Sequence, residues 1–277
     1  MNPIGDFRRI RVTMKRVNVQ GIELAVRDVG SGDPLLLVHG FPLDHSMWDR
    51  QTEALSKTHR VLAADLRGFG QSGVTPGTVS MEQFADDLAG LLDGLGIRQP
   101  VVLCGLSMGG CIAWQFIRKF PDRVRALIAC DTRVVADTPE GAETRHKTAE
   151  KVLAEGPQVV ADGMLPKLFS DQTRADSPVL IQRTRDVILR NAPEGIAAGL
   201  RSLATRDDVS EQARRCQLPT LAIVGEHDVI STAEEMRGWV AQMPRAEIVV
   251  VEGAGHMAPL ERPDVVNPAV ERFLAGL

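Results

Sequence analysis

The sequence lacks the features by which membrane, secreted and nucleic-acid-binding proteins are usually recognised. No run approaches the roughly 18 apolar residues of a membrane-spanning helix, and the first nine residues contain no apolar core of a signal peptide. No block of basic residues occurs, and the formal net charge is −4, which argues against nucleic acid as a partner. We therefore expect a cytoplasmic protein with neither a membrane nor a nucleic acid as partner.

Residues that commonly hold metals or phosphates are scarce or wrongly spaced. The glycine-rich stretch 65–73 lacks the spacing and the lysine of a P-loop. We interpret it as a structural turn stabilised by Asp65 and Arg67. Each cysteine lies in or beside an apolar segment, without the paired spacing of zinc or redox sites. This predicts buried free thiols at the four positions Cys104, Cys111, Cys130 and Cys216.

Short apolar runs alternate with helical patterns along most of the chain. The segment 10–26 predicts two short strands joined near Gln20 and Gly21. Runs that are wholly or mostly apolar, typical of strands buried on both faces of a parallel sheet, occur at 35–38, 61–64, 101–104, 124–130, 220–224 and 246–251. Apolar residues at helical spacing predict helices at 43–55, 81–95 and 265–274. This alternation predicts an α/β protein whose parallel sheet is covered by helices on both faces.

The alternation stops after Asp131. From Thr132 to about Arg215 no convincing buried strand occurs, and helical patterns are found at 144–153, 159–169, 178–190 and 194–203. We therefore predict one domain with an insertion. Residues 1–131 and 216–277 would form the core, and residues 132–215 would form a helical cap over it.

The stretch 101–116 carries the strongest functional signal. Its apolar run ends at a glycine, and Ser107 has Gly105 and Gly109 two residues away on either side. A serine on a tight strand-to-helix turn needs neighbours without bulk, and the start of the helix supplies backbone amides for developing negative charge. Because the strand and the helix both fall where this motif needs them, we predict that Ser107 is a nucleophile.

A serine hydroxyl is a weak nucleophile that needs a base, and the base needs an orienting carboxylate. Asp228 and His256 also follow predicted strands, at the edge where α/β sheets place their sites. Asp131 competes with Asp228 for the role of the acid, and Glu226 is a weaker competitor. His256 is favoured as the base because it follows the last strand in a loop with a glycine before it. The competing histidines lie in other contexts, and they are His39, which is predicted to be structural, His45, His59, His146 and His227.

The chain order Ser107, Asp228, His256 is that of the α/β-hydrolases, and the sequence resembles this family over nearly its whole length. The resemblance implies an eight-stranded, mostly parallel sheet flanked by helices, with the cap inserted after the sixth strand. It also implies chemistry that needs no metal or organic cofactor. The matching stretches are 39–41, 65–72, the turn around Ser107, 225–228 and 255–256.

The resemblance further implies acyl transfer to water through an ester on Ser107. His256 would take the proton of Ser107, and Asp228 would orient the imidazole. The backbone amides of Phe41 and Met108 would hold the tetrahedral oxyanion. The substrate pocket is predicted to be lined by Pro42, Leu43, Met164, Leu168, Val229 and Met257.

Within the family, the stretch 41–48 is similar to small carboxylesterases, enol-lactone hydrolases and cofactor-free haloperoxidases or perhydrolases. A carboxylesterase is the first interpretation, because enol-lactone hydrolases use a tryptophan in the cap, whereas Trp48, Trp114 and Trp239 lie outside it. Pro42 adds a perhydrolase hypothesis, in which its ring fixes a loop carbonyl as an acceptor for hydrogen peroxide. Two alternatives of another class are a hydrolase-fold lyase and a small-molecule binding receptor. The sequence does not define the oligomeric state.

Overall fold

The structure is a computed structural model that describes residues 14–75 and 77–277. Residues 10–13 of the predicted first strand, and residues 1–13 of the predicted core, lie outside the described residues. The described part of the chain contains an eight-stranded sheet. Its strands are β1 (Lys15–Val19), β2 (Ile22–Val29), β3 (Pro34–Val38), β4 (Arg60–Ala64), β5 (Val101–Leu106), β6 (Val124–Cys130), β7 (Thr220–Gly225) and β8 (Ala246–Val251).

The strands lie in the order β1, β2, β4, β3, β5, β6, β7, β8. The pairs β1 with β2 and β2 with β4 are antiparallel, whereas every other pair is parallel. The prediction of a mostly parallel sheet is therefore confirmed. Parallel strands place their carboxyl ends at one edge, so the turns that follow β5, β6, β7 and β8 lie side by side.

Helices cover both faces of the sheet. One face packs against α2, α3 and α10 and the other against α1 and α12. The helices are α1 (Asp49–Leu55), α2 (Met81–Gly94), α3 (Met108–Lys119), α4 (Pro139–Glu155), α5 (Gln158–Leu168), α6 (Asp171–Asp176), α7 (Pro178–Arg190), α8 (Pro193–Ala204), α9 (Ser210–Arg215), α10 (Ala233–Val240), α11 (Ala258–Glu261) and α12 (Pro263–Ala275). Short 3₁₀ turns lie at His45–Trp48 and Pro121–Arg123.

Most predicted elements are present with ends shifted by a few residues. The helix predicted at 81–95 is α2, which begins after Ser80, whose hydroxyl accepts a hydrogen bond from the Gln83 amide. The helix predicted at 43–55 is instead a 3₁₀ turn followed by α1. Helices α6, α9, α10 and α11 were not predicted. They have four to eight residues each, which is too short for a helical period to be visible in the sequence.

The cysteines are all free thiols. Cys104, Cys130 and Cys216 are buried, as predicted. Cys111 is half-buried because it lies in the first turn of α3, where its sulfur approaches the carbonyl oxygen of Arg133.

The segment between β6 and β7, which is described throughout, contains α4 to α9 and no strand. Helix α8 packs directly on turns of the sheet: a Cβ at Gly195 would lie 1.8 Å from the carbonyl oxygen of Gly68. One turn further along α8, a Cβ at Gly199 would lie 2.9 Å from the ring of Phe69 and 3.1 Å from the ring of Phe41. Two glycines on one helix face therefore allow this close approach. The cap boundaries at residues 132 and 215 stay a prediction.

This contact generates a stability prediction. Gly195→Ala should lower the free energy of unfolding by about 1–3 kcal/mol, because the new methyl group overlaps the Gly68 backbone and the helix must shift. Gly163→Ala in α5 is the matched control, since a Cβ there meets nothing within 4 Å. Urea unfolding of both variants measures the difference, and equal stability would contradict the close packing of α8.

Candidate active site

The turn between β5 and α3 carries Ser107. Its backbone φ is 53°, a left-handed conformation that L residues seldom adopt. A Cβ at Gly105 would lie 2.3 Å from the carbonyl oxygen of Gly109, and a Cβ at Gly109 would lie 2.3 Å from that of Val38. Both glycines are therefore required by close backbone approach, and the spacing seen in the sequence has a steric cause.

Asp228 and His256 form a buried pair at the same edge of the sheet. His256 Nδ1 lies 2.8 Å from Asp228 Oδ2, and the exposed fractions of the two side chains are 2% and 0%. The other oxygen of Asp228 accepts hydrogen bonds from the amides of Ile230 and Ser231. Three donors therefore fix the carboxylate, and the carboxylate in turn orients the imidazole.

The competing acids have other partners. Asp131 is fully buried, and its Oδ1 accepts a hydrogen bond from the Gly225 amide. Burial, followed by the nearby charge of Asp228, raises the pKa of Asp131 well above its ordinary value, which disfavours its ionised form. Glu226 accepts a hydrogen bond from the Gly253 amide on the surface. Asp228 is thus the competing acid that is bonded to His256.

His39 links two turns rather than presenting a reactive nitrogen. The Leu66 amide donates to its Nε2 at 3.0 Å, so Nδ1 carries the proton and donates to the carbonyl oxygen of Gly40 at 3.0 Å. Burial lowers the pKa of His39, which keeps the ring neutral. His45 is bonded to Asp65, and His146 is exposed on α4.

The predicted oxyanion donors lie beside Ser107. Met108 begins α3, where first-turn amides have no helical acceptor. Phe41 lies in a turn closed by the Leu43 amide, which donates to the Gly40 carbonyl at 2.9 Å. A Cβ at Gly40 would lie 3.5 Å from the Cβ of Ser107, so this turn abuts the serine. Among residues 14–75 and 77–277, no backbone hydrogen bond uses the amide of Phe41 or of Met108.

The residues predicted to line the pocket differ widely in exposure. Leu43, Leu168 and Met257 are buried, with at most 2% exposed, and belong to one hydrophobic core cluster. Met164 is half-buried, whereas Val229, next to Asp228, is 68% exposed. Pro42 is buried, and the peptide bond between Phe41 and Pro42 is cis. Their role as a substrate pocket stays a prediction.

Asn191 contacts the site and was missed by the sequence analysis. Its Nδ2 donates to the carbonyl oxygen of Pro42 at 2.8 Å, and its Oδ1 accepts from the amide of Gly70 at 2.7 Å. The two partners fix the orientation of the amide group, because one can only accept and the other can only donate. Asn191 precedes a helix by two positions and lies 149 residues from Pro42, so no local pattern revealed it.

Asp44, His45 and Asp65 form the cluster of potential metal ligands among the described residues. The hydrogen bonds there are already assigned to protein donors. Asp65 Oδ1 accepts from the amide and the Nδ1 of His45, and its Oδ2 accepts from the Gln71 amide. Asp44 Oδ1 accepts from the Ser46 amide. This cluster therefore joins the turn after β3 to the glycine-rich turn after β4, which is stabilised further by the ion pair of Arg67 and Asp87.

The fold and this arrangement agree with a family comparison. A family model described as the alpha/beta hydrolase fold matches residues 33–263. This chain belongs to that family. None of the described helices is both long and apolar enough to cross a membrane.

Named relatives of this hydrolase include esterases and enol-lactonases. A thermophilic esterase from Thermogutta terrifontis is 44% identical, with a TM-score of 0.93 over 95% of this chain and 98% of that chain. The enol-lactonase from Burkholderia xenovorans LB400 is 31% identical, with a TM-score of 0.88 over 94% of this chain and all of that chain. The 3-oxoadipate enol-lactonase 2 of Acinetobacter baylyi is 27% identical over 93% of this chain and 95% of that protein.

The buried pair of His45 and Asp65 makes the stability of the hydrolase depend on pH. Burial alone would lower the pKa of His45, but the hydrogen bond and charge of Asp65 outweigh it and raise that pKa. Burial alone would raise the pKa of Asp65, but the hydrogen bond and charge of His45 outweigh it and lower that pKa. The stabilisation from His45 is therefore complete below its unfolded pKa of about 6.5 and is lost as the pH rises through the raised folded value.

We predict that His45→Asn lowers the free energy of unfolding by about 3 kcal/mol near pH 6, and by less near pH 9. Urea unfolding at both pH values measures the two differences. His146→Asn, which changes an exposed histidine of α4, is the control and should have little effect at either pH. A loss for His45→Asn that grows with pH would contradict a charged pair.

Proposed function

We propose that this hydrolase cleaves small carboxylic esters through an acyl-enzyme on Ser107. The observation that supports this most is the buried pair of Asp228 and His256, 2.8 Å apart, at the edge of the sheet where the left-handed turn presents Ser107. Acyl transfer to water needs a nucleophile, a base and an orienting carboxylate in one place. These three residues follow β5, β7 and β8 of one parallel sheet.

In this mechanism His256 moves the proton. An ionised carboxylate can only accept, so Nδ1 of His256 carries a proton toward Asp228 and Nε2 presents a lone pair. Nε2 takes the proton of the Ser107 hydroxyl as its oxygen attacks the ester carbonyl carbon, and it returns that proton to the departing alcohol. Water then attacks the acyl carbon while the same nitrogen takes its proton. The bond from the acyl carbon to Ser107 Oγ breaks, Nε2 returns the proton to Oγ, and the acid leaves.

Backbone amides stabilise the negative charge of each tetrahedral intermediate by hydrogen bonds. Phe41 and Met108 supply the donors, and Phe41 is 5% exposed, so its amide acts in a site largely shielded from water. Loss of one such donor costs on the order of a hundredfold or more in rate. The fixed turn at Gly40 and the start of α3 prepare both donors before the substrate arrives.

Ester cleavage is proposed ahead of enol-lactone cleavage on two grounds. The chain is 44% identical to the Thermogutta terrifontis esterase and 31% identical to the Burkholderia xenovorans enol-lactonase. The tryptophans Trp48, Trp114 and Trp239 all lie outside the predicted cap of residues 132–215, whereas the enol-lactone hydrolases that the sequence resembles use a cap tryptophan. Enol-lactone hydrolysis is the second candidate, because relatives of this chain bear that name and the same proposed triad would open a lactone ring.

The perhydrolase hypothesis is not part of the proposal. It requires a loop carbonyl that is directed by Pro42 and is available to hydrogen peroxide. The carbonyl oxygen of Pro42 accepts a hydrogen bond from Asn191 at 2.8 Å, which occupies one of its two lone pairs and fixes the loop. This contact supports a structural role for Pro42.

Ser107→Ala is the direct test of the nucleophile. We expect hydrolysis of a short p-nitrophenyl ester to fall by at least about a thousandfold, because the attacking oxygen is gone, while circular dichroism stays that of the wild type. A serine-directed phosphonate should add its mass to the wild-type protein at Ser107 and not to the variant. Substantial turnover by a folded Ser107→Ala protein would refute the mechanism.

Matched substitutions distinguish the roles of Asp228 and Asp131. Asp228→Asn should lower kcat by roughly ten thousandfold, because an amide cannot hold the imidazole in the required tautomer. Asp131→Asn should change kcat by less than about tenfold, since Asp131 is not bonded to His256 and the amide oxygen of asparagine can accept the same hydrogen bond from Gly225. Steady-state kinetics on the same ester measures both, and the reverse order of effects would place the acid after β6.

A further inference from the structure

Asn191 joins the predicted cap to the turn that carries the proposed oxyanion donor. It is 4% exposed and lies between α7 and α8. Its amide group bridges the Pro42 carbonyl at 2.8 Å and the Gly70 amide at 2.7 Å. Pro42 directly follows Phe41 in the chain. The hydrogen bond from Asn191 in the predicted cap is therefore made to the residue next to Phe41, whose amide is the proposed oxyanion donor.

The helix that follows Asn191 touches Phe41 as well. A Cβ at Gly199 would lie 3.1 Å from the Phe41 ring and 2.9 Å from the Phe69 ring, and these rings meet edge to face at 6.2 Å. Asn191 and Gly199 therefore both lie against the 40–43 turn, Asn191 at Pro42 and Gly199 at Phe41. A shift of this helix relative to the sheet would therefore move Phe41.

On the side of the sheet the turn is held by its own backbone, by His39 Nδ1, which donates to the Gly40 carbonyl at 3.0 Å, and by the 3₁₀ turn that follows. The Leu43 amide donates to the Gly40 carbonyl at 2.9 Å, and the Gly40 amide donates to the sulfur of Met47 at 3.4 Å. Sulfur is a weak acceptor. On the opposite side, the turn is fixed by the hydrogen bond from Asn191 Nδ2 to the Pro42 carbonyl.

We propose that Asn191 is a positioning residue for the oxyanion hole, and that the cap acts on the reaction by holding the Phe41 amide in place. This inference rests on the proposed function, because it concerns the donor used in that mechanism. An oxyanion donor works only when it lies about 2.7–3.1 Å from the developing charge. A small displacement of the turn therefore reduces stabilisation of the transition state by the Phe41 amide more than it reduces the affinity for the substrate.

The main test compares two substitutions of buried polar residues in the same segment. Asn191→Leu removes both hydrogen bonds to the turns, whereas Thr184→Val removes one hydroxyl bonded within α7 to Leu180. We expect kcat for a p-nitrophenyl ester to fall about tenfold or more in Asn191→Leu, with KM changed by less than about threefold. Thr184→Val should keep a kcat within about twofold of the wild type, and equal kcat values for the two folded variants would overturn the proposal.

A transition-state analogue distinguishes a displaced oxyanion donor from a general loss of activity. A trifluoromethyl ketone forms a hemiketal oxyanion on a nucleophilic serine, so its affinity reports the oxyanion donors. In Asn191→Leu its inhibition constant should rise by the same factor by which kcat/KM falls. An unchanged inhibition constant alongside a lower kcat would overturn the proposal.

Hydrogen exchange keeps the inference separate from the proposed function. Amides of the 40–43 turn should exchange faster in Asn191→Leu than in Thr184→Val, whether or not the protein cleaves esters. If the wild type cleaves no ester but the turn still loosens, the proposed function fails while Asn191 still holds the turn. Equal exchange in the two variants overturns the inference itself.

If Asn191→Leu does not fold, two glycine substitutions test whether the cap holds Phe41 in place. Gly199→Ala adds a methyl group against Phe41 and Phe69, whereas Gly163→Ala adds one where nothing lies within 4 Å. We expect Gly199→Ala to lower kcat about threefold or more relative to Gly163→Ala, with little change in KM. Equal kcat values for these two variants would contradict coupling of the cap to Phe41.

Discussion

A backbone turn that L residues seldom adopt, with φ at 53°, holds Ser107 between the fifth strand and the third helix. The surrounding backbone keeps it there. The Ser107 amide donates to the Cys130 carbonyl at 2.9 Å, and the Ser107 carbonyl accepts from the Thr132 hydroxyl at 2.8 Å. The flanking Gly105 and Gly109 let peptide groups approach where any side chain would collide. The position of the serine therefore depends on three neighbouring elements at once, β3, β5 and β6.

The two buried carboxyl groups beyond β6 and β7 show how environment separates chemically identical side chains. Asp228 meets three hydrogen-bond donors, one of them His256, whereas Asp131 meets the Gly225 amide alone. Burial and the charge of Asp228 raise the pKa of Asp131. The two carboxyl groups therefore differ in their hydrogen-bond partners, and the imidazole is bonded to Asp228.

Much of the fold and the candidate site could be predicted from the sequence, because the signals were local. Apolar runs marked the buried strands, and the spacing around Ser107 reflected a steric requirement of the turn. Position after a strand was enough to favour Asp228 and His256, because strand ends converge in a parallel sheet.

What the sequence did not reveal depends on contacts between distant residues. The bridge from Asn191 to Pro42 and Gly70 joins parts of the chain more than a hundred positions apart. The burial of Leu168 and Met257, both predicted to line a substrate pocket, was also not visible in the sequence, because an apolar residue can face either a pocket or the core. Burial of this kind is set by packing between elements, which a single sequence does not display.

The central claim is that Ser107 attacks the substrate and that the amides of Phe41 and Met108 hold the resulting charge. A crystal structure of the protein after reaction with a serine-directed phosphonate tests it most directly. We predict phosphorus bonded to Ser107 Oγ, with one phosphonyl oxygen about 2.7–3.1 Å from both amide nitrogens and His256 Nε2 facing the leaving-group side. A phosphonate bonded to another residue, or a phosphonyl oxygen directed away from both amides, would contradict the account.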